Sequence, residues 1–242
     1  MIAVIPAAGM ASRLRPLTDH TPKCLLKVGD RELLRRSIDA ITAAGISELV
    51  IVTGYLNNLI EEFVKRNYPA LTVHFIHNAD YASTNNIYSL YLAKPFAKGK
   101  EILLLDSDII FDPAIITTLM AAPDPNVLAL MRHPLGEEEI KIIPDEKGLV
   151  KEISKTCSIP DAIGESLGIE RMSAEYTTTL YDELDTMMAE GLNNVFYECA
   201  FERLIPKGHT FRPIDTTEFF AAELDTPEDF HNAKENIPGN LL

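Results

Sequence analysis

IAVIPAAGMASRLRPLT, residues 2–18, is the stretch from which the rest of the chain can be read. Ile2 to Ile5 is a short apolar run of the kind that forms a buried strand. It ends in Pro6-Ala7-Ala8-Gly9, small residues that let a backbone come close to a ligand. Ser12, Arg13 and Arg15 follow, then Pro22-Lys23. A strand that runs into a small-residue loop with cations just beyond suits a polyphosphate: backbone N–H groups hold the oxygens, and Arg and Lys neutralise them. Taken alone, the loop is equally compatible with a plain strand-to-helix turn in any α/β protein. It is neither a Walker loop, since no Gly-Lys-Ser/Thr follows, nor a dinucleotide fingerprint, since the second and third glycines are missing.

The 242 residues suit one large α/β domain. No signal peptide or membrane span is indicated. Cys24, Cys157 and Cys199 are scattered and odd in number, which fits a reducing, cytoplasmic setting without a disulfide framework. A net charge of −14 argues against nucleic acid as a partner. It also makes the local cations between residues 13 and 27 more informative, because they run against the overall sign. The six histidines show no metal-ligand spacing; His74 and His77, three apart in a strand, point to opposite faces.

Further along, the periodicity predicts a helix over 31–44, a strand over 48–53, a helix after Gly54-Tyr55 and a strand over 71–76, an order that calls for a parallel sheet. Thr84-Asn85-Asn86 opens the next helix. These residues either cap it or, through amide donors and acceptors, read a base or ribose. The strand over 101–105 runs into Asp106-Ser107-Asp108. Two carboxylates at a strand's C-terminal end suit Mg²⁺, and residues i and i+2 point the same way, so either serves as the ligand. A hairpin over 139–153 turns at Asp145-Glu146-Lys147-Gly148 and marks the change from a nucleotide-binding half (1–133) to an acceptor-binding half (134–242) of a single domain. Lys141 alternates with Ile140 and Ile142, which fits a wet face or a substrate-facing one; Lys155 follows the second hairpin strand. A short strand over 164–172, a helix from Ser173, a helix over 195–204 and a strand near 211–214 come next. Glu198 and Asp215 are the acids of interest in that half. Thr226-Pro227-Glu228-Asp229 has the form of a capped helix start, and the tail beyond Ile237 is expected to fray.

Ala7-Ala8-Gly9, Ser12-Arg13-Leu14, Pro16-Leu17-Thr18 and Thr21-Pro22-Lys23 together resemble the signature of the nucleotidyltransferase family, whose members activate sugar phosphates and small phospho-alcohols with a nucleotide. That family usually has a second glycine two residues after the first. Here the position is Ala11, which predicts a loop lying slightly further from the phosphates. Thr84 to Tyr91, Glu137 to Ile142 and Gly164 to Ile169 are similar to segments of CTP:phosphocholine and 2-aminoethylphosphonate cytidylyltransferases. The resemblance implies a Rossmann-like, three-layer α/β fold with a central mixed, mostly parallel sheet. It implies Mg²⁺ on Asp108 and Asp225, and nucleotide contacts from Ala7, Ala8, Gly9, Thr84, Asn85, Asn86 and Asp106. Arg13 would hold the departing pyrophosphate, Lys23 the α-phosphate and Lys141 the acceptor's phosphate or phosphonate, with Lys155 nearby.

If the acceptor carries an ammonium, Glu198 and Asp215 are its counter-charges and Tyr197 its aromatic face. The chain has no Trp, so an ammonium cage would rest on weaker rings, which favours a primary amine over a quaternary one. The expected partners are CTP and a small phosphate or phosphonate acceptor; a homodimer is left open. Two rivals remain, a sugar-1-phosphate nucleotidyltransferase and a non-catalytic nucleotide sensor.

Overall fold

In a computed structural model, which describes residues 1–241, the chain folds as three layers, α/β/α. The elements in chain order are β1 (Ile2–Ala7), β2 (Lys27–Val28), β3 (Arg31–Glu32), α1 (Leu33–Ala43), β4 (Glu48–Thr53), α2 (Asn57–Asn67), β5 (Thr72–His77), α3 (Asn86–Leu92) and α4 (Lys94–Ala97). Then come β6 (Ile102–Leu105), β7 (Ile109–Phe111), α5 (Ala114–Ala121), β8 (Val127–Met131), β9 (Lys141–Pro144), β10 (Val150–Ser154) and β11 (Gly164–Met172). The chain continues through α6 (Ala174–Ala189), α7 (Glu198–Leu204), β12 (Arg212–Asp215), β13 (Ala221–Glu223) and α8 (Pro227–Asn236).

One nine-stranded mixed sheet runs through the molecule in the order β10-β9-β11-β6-β1-β4-β5, with β8 beside β11 and β12 beside β8. The β6-β1-β4-β5 block is parallel throughout, and the pairings of β11 and of the β9–β10 hairpin are antiparallel. The two faces follow from alternation along the strands. Ile2, Val4, Val50, Ile102 and Leu104 pack under α3, α6 and α7. Ala3, Ile5, Leu49, Ile51, Leu103 and Leu105 pack under α1, α2 and α5. A smaller cluster seats α8, through Phe230 and Ala233, on Leu14 and Leu26 of the first loop and Val28 of β2.

Helix starts follow local chemistry. Ser173 accepts from the Tyr176 N–H at the head of α6, and Thr226 with Asp229 forms a reciprocal capping box at the head of α8. The strand expected over 164–172 forms with those bounds and pairs on both edges. One expectation changes. The tail is anchored: Gly239–Leu241 forms a turn of 3₁₀ helix, and the Leu241 carbonyl accepts from the Arg36 guanidinium. Leu242 lies outside the described residues. Among those residues the three cysteines form no disulfide, and no helix is long and apolar enough to cross a membrane.

Candidate active site

The C-terminal ends of β1 and β6 open into a cavity of about 970 Å³. That is where an α/β sheet normally binds its ligand. One wall is the first loop. After β1 the chain turns through Ala11, whose backbone is left-handed at φ 46° and ψ 51°. The position where the resembled family has glycine is therefore one that requires a conformation glycine adopts readily, and alanine accepts the strain. Gly54 lets the neighbouring strand end come close: a Cβ there would lie 2.6 Å from the Ala8 carbonyl oxygen and 2.7 Å from the Tyr81 Cβ.

The opposite wall is the segment before α3. Asn78 is buried. Its amide donates to the Thr84 hydroxyl (3.1 Å) and its carbonyl oxygen accepts from the Asp80 N–H (2.9 Å). Asn85 caps α3 by accepting from the Asn86 N–H, and the Asn86 Oδ1 accepts from the backbone N–H of Tyr197 at 3.0 Å. The amides of this wall are thus partly committed to holding its shape.

The floor carries the acids. β13 runs antiparallel to β7, and the Leu224 N–H donates to the Asp108 carbonyl at 3.1 Å. This short ladder brings Asp225 beside Asp108 although 117 positions separate them in sequence (225 − 108). Glu223 joins them: one carboxylate oxygen from each of Asp108, Glu223 and Asp225 lies within 4.8 Å of the others. Sequence reasoning missed Glu223. The signal was available, since residues i and i+2 of an extended segment share a side and Glu223 precedes Asp225 by two.

The Lys23 ammonium lies between the two aspartates, 2.8 Å from Asp108 Oδ2 and 2.5 Å from Asp225 Oδ1. Arg13 also pairs with Asp225. Burial alone would lower the Lys23 pKa, but Asp108 and Asp225 more than compensate and raise it. Asp225 is pulled below the usual carboxylate range: burial opposes this, and Lys23 and Arg13 prevail. Burial, then the fields of Asp108 and Asp225, push Glu223 up to about 8. Three hard oxygen donors within 4.8 Å of one another, one of them held up in part by the charge of the other two, fit a divalent cation such as Mg²⁺.

The side of the cavity where the sequence predicts an acceptor is a mixture of charges. Glu198, the first residue of α7, is 4% exposed, lies on the cavity wall, and leaves Oε2 without a hydrogen-bond partner among the described residues. Burial pushes its carboxyl up to about 7. Lys155 also lines the cavity, pairs with Glu138 at 3.1 Å and lies 4.8 Å above the Phe196 ring. His133 and Glu165 form a 2.6 Å pair on the same wall. Burial would lower the His133 pKa, but Glu165 outweighs it and raises it.

Of the residues singled out from the sequence, Ala7, Ala8, Gly9, Arg13, Lys23, Thr84, Asn85, Asn86, Asp106, Asp108, Lys155, Glu198 and Asp225 all line this one cavity. Three do not. Lys141 is 1% exposed, and its ammonium donates to the carbonyls of Lys155 (2.6 Å), Glu139 (3.1 Å) and Glu137 (3.4 Å). With three donors on three backbone acceptors, it ties the segment before β9 to the segment after β10 and is turned away from the acceptor space. Tyr197 is fully buried, its hydroxyl on Asp106, so it offers no cation–π face to a ligand; the aromatic on the cavity wall is its neighbour Phe196. Asp215 is half exposed and sits behind the wall, held by Arg132 at 2.6 Å. Arg132 itself is on the wall. For Lys141 and Asp215 the cause is that strand alternation says which residues share a face, but not which face the cavity uses; Tyr197, at the head of α7, is turned by the packing of that helix.

Several known proteins share this architecture. A cytidylyltransferase for phosphocholine from Streptococcus pneumoniae superposes with a TM-score of 0.79 at 22% identity, over 98% of this chain and 99% of that one. An inositol-1-phosphate CTP transferase from T. maritima superposes with a TM-score of 0.80 at 18% identity, over 98% and 97%. At that identity the likeness shows the fold. In sequence, the chain is 28% identical to the CMP-5'-(3-aminopropyl)phosphonate synthase of Streptomyces rubellomurinus across 96% of its length, and spans only 38% of that synthase. It is 26% identical to the CTP:phosphoglutamine cytidylyltransferase of Campylobacter jejuni, covering 99% of this chain and 94% of that protein. Residues 3–162 match the MobA-like NTP transferase domain. With about two thirds of its residues (160 of 242) inside that match, and with the small-residue loop, the cations beyond it and the converging acids on one cavity, the chain belongs to the MobA-like NTP transferase domain family.

Proposed function

We propose that this protein transfers the cytidylyl group of CTP to a small phosphate or phosphonate that carries a primary ammonium, of the 2-aminoethylphosphonate, 3-aminopropylphosphonate or phosphoethanolamine type. The observation that carries the reading is the Glu198 carboxylate: buried, without a protein partner for Oε2 among the described residues, on a residue that lines the same cavity as the first loop and the acid cluster. A buried carboxylate that the protein leaves unpaired is costly unless a ligand supplies the partner. The relatives that act on aminopropylphosphonate and phosphoglutamine support it.

In this reaction an oxygen of the acceptor's phosphate or phosphonate bonds to the α-phosphorus of CTP. The bond from that phosphorus to the bridging oxygen breaks, and its electron pair leaves with pyrophosphate. A phosphomonoester loses its second proton with a pKa of about 6, so the nucleophile is already an anion at neutral pH and needs no general base. Catalysis reduces to bringing two polyanions together. Arg13 and Lys23 neutralise the triphosphate. Lys155 and Arg132 are the wall cations for the acceptor's phosphonate, and Lys141 supports the backbone that carries Lys155. Asp108, Glu223 and Asp225 would hold Mg²⁺, which when bound neutralises charge on the α-phosphate and orients the incoming oxygen.

The test is pyrophosphate release from each of the four nucleoside triphosphates against aminophosphonates, phosphoethanolamine, phosphocholine, phosphoglutamine and hexose 1-phosphates. CTP with a primary amine is expected to lead. Turnover with hexose 1-phosphates alone, or CTP binding without pyrophosphate release for any acceptor, would overturn it.

A further inference from the structure

Tyr197 joins the two sides of the cavity. Its backbone N–H donates to Asn86 Oδ1 on α3 at 3.0 Å, and its phenol donates to Asp106 Oδ2 at 3.1 Å. The ring is fully buried and packs on Phe201, with centroids 5.4 Å apart. On its other flank Asp106 meets Gly168. The Asp106 N–H donates to the Gly168 carbonyl at 2.9 Å, and a Cβ at Gly168 would come 2.5 Å from Asp106 Oδ2. Gly168 has φ +71° and lies where the β11 register shifts against β8, so both its conformation and its missing side chain make room for the carboxylate. Asp106 Oδ2 is therefore fixed between a phenol and a glycine. Oδ1 has no protein donor among the described residues, and Asp106 lines the cavity, as Asn78 and Asn86 do.

We infer that Tyr197 is a positioning residue for nucleotide binding: it aims Asp106 so that Oδ1 accepts from a hydroxyl of the bound nucleotide. This deepens the cytidylyltransferase reading and rests on it. A carboxylate free to rotate about its side-chain bonds would meet that hydroxyl only part of the time, and one pinned on its other oxygen does not search. The same residue precedes Glu198, so the helix that holds the acceptor's counter-charge is tied to the wall that holds the nucleotide.

The test is a double-mutant cycle on the CTP dissociation constant, measured by calorimetry in millimolar Mg²⁺ with no acceptor present. Tyr197→Phe removes one oxygen and keeps the packing, and is expected to weaken CTP about tenfold. Asp106→Ala weakens it at least as much, and the double variant is no worse than Asp106→Ala. Gly168→Ala serves as a second probe, with the same loss alone and none added in the Asp106→Ala background. In turnover with 2-aminoethylphosphonate, Tyr197→Phe raises the KM for CTP and leaves the acceptor KM within about twofold. A general loosening of α7 would instead raise the acceptor KM through Glu198. Tyr197→Phe binding CTP within twofold of wild type, or losses that multiply in the double variant, would overturn the inference. If wild type binds another nucleotide in place of CTP, the cytidylyl reading fails separately, and the cycle is run with that nucleotide.

Discussion

The two walls of the cavity are built by different rules. The first-loop wall is made at the ends of parallel strands, from small residues: Ala7, Ala8 and Gly9 line it, Gly54 behind them lets the neighbouring strand end approach Ala8, and Arg13 and Lys23 stand just past the turn. The acceptor wall is made of antiparallel strands and the start of α7, and presents both signs at once: Arg132, His133 and Lys155 against Glu138, Glu165 and Glu198. The first wall fits a ligand common to many enzymes, a triphosphate. The second fits one with positive and negative ends. On the proposed reading, phosphate binding would be written in short contiguous sequence, whereas acceptor choice would rest on which of many charges are left unpaired.

The sharpest way to break that comparison is the acid cluster, which belongs to neither wall. Asp108→Ala is expected to lower turnover at least about a thousandfold at millimolar Mg²⁺, in pyrophosphate release, while the protein stays folded by circular dichroism. Near wild-type turnover would remove Asp108 from the chemistry.

Lys141→Met tests whether a buried cation on the acceptor wall is structural. Three carbonyls lose their donor, so stability is expected to fall by about 3 kcal/mol in urea unfolding, with the CTP dissociation constant unchanged. Unchanged stability with a collapse in acceptor affinity would return Lys141 to the substrate.

Glu198→Gln keeps the shape and removes the charge. It is expected to lower kcat/KM for aminophosphonates by about 30-fold and to leave CTP binding alone. The pH dependence has two opposite signs. Burial holds the Glu198 carboxyl up at about 7, so kcat/KM for an amine acceptor rises as pH passes through that value. Stability does the reverse. In the window from the ordinary glutamate value to about 7, the folded chain keeps a proton that the unfolded chain has released, and stability falls as pH rises. The Gln variant lacks that fall, so thermal unfolding should show it gaining on wild type between pH 5 and pH 8. A parallel pair of melting curves would reject the upward shift of the Glu198 carboxyl.

The smallest effect is on the first-loop wall. Ala11→Gly relieves a left-handed alanine but adds freedom to the unfolded chain, and is expected to stabilise by only about 0.5 kcal/mol, with CTP affinity changed by less than about twofold. A large gain in affinity would mean that the Ala11 methyl holds the loop off the phosphates.

From sequence alone, β1 and its loop, the parallel β1, β4, β5 and β6, the hairpin of β9 and β10 and the capping box at Thr226 could all be placed, because each depends on residues adjacent or a few positions apart: apolar runs, turn glycines, a Thr-Pro-Glu-Asp start. The place of the first loop on the cavity wall was legible for the same reason. Only the tertiary structure decided that the β7–β13 ladder brings Glu223 to Asp108 and Asp225, that Lys141 turns inward onto three carbonyls, and that Tyr197 faces Asp106 while Phe196 faces the cavity. Alternation fixes the relative sides of neighbours on one strand. Which side is wet depends on what packs against it from elsewhere in the chain, and no local pattern carries that information.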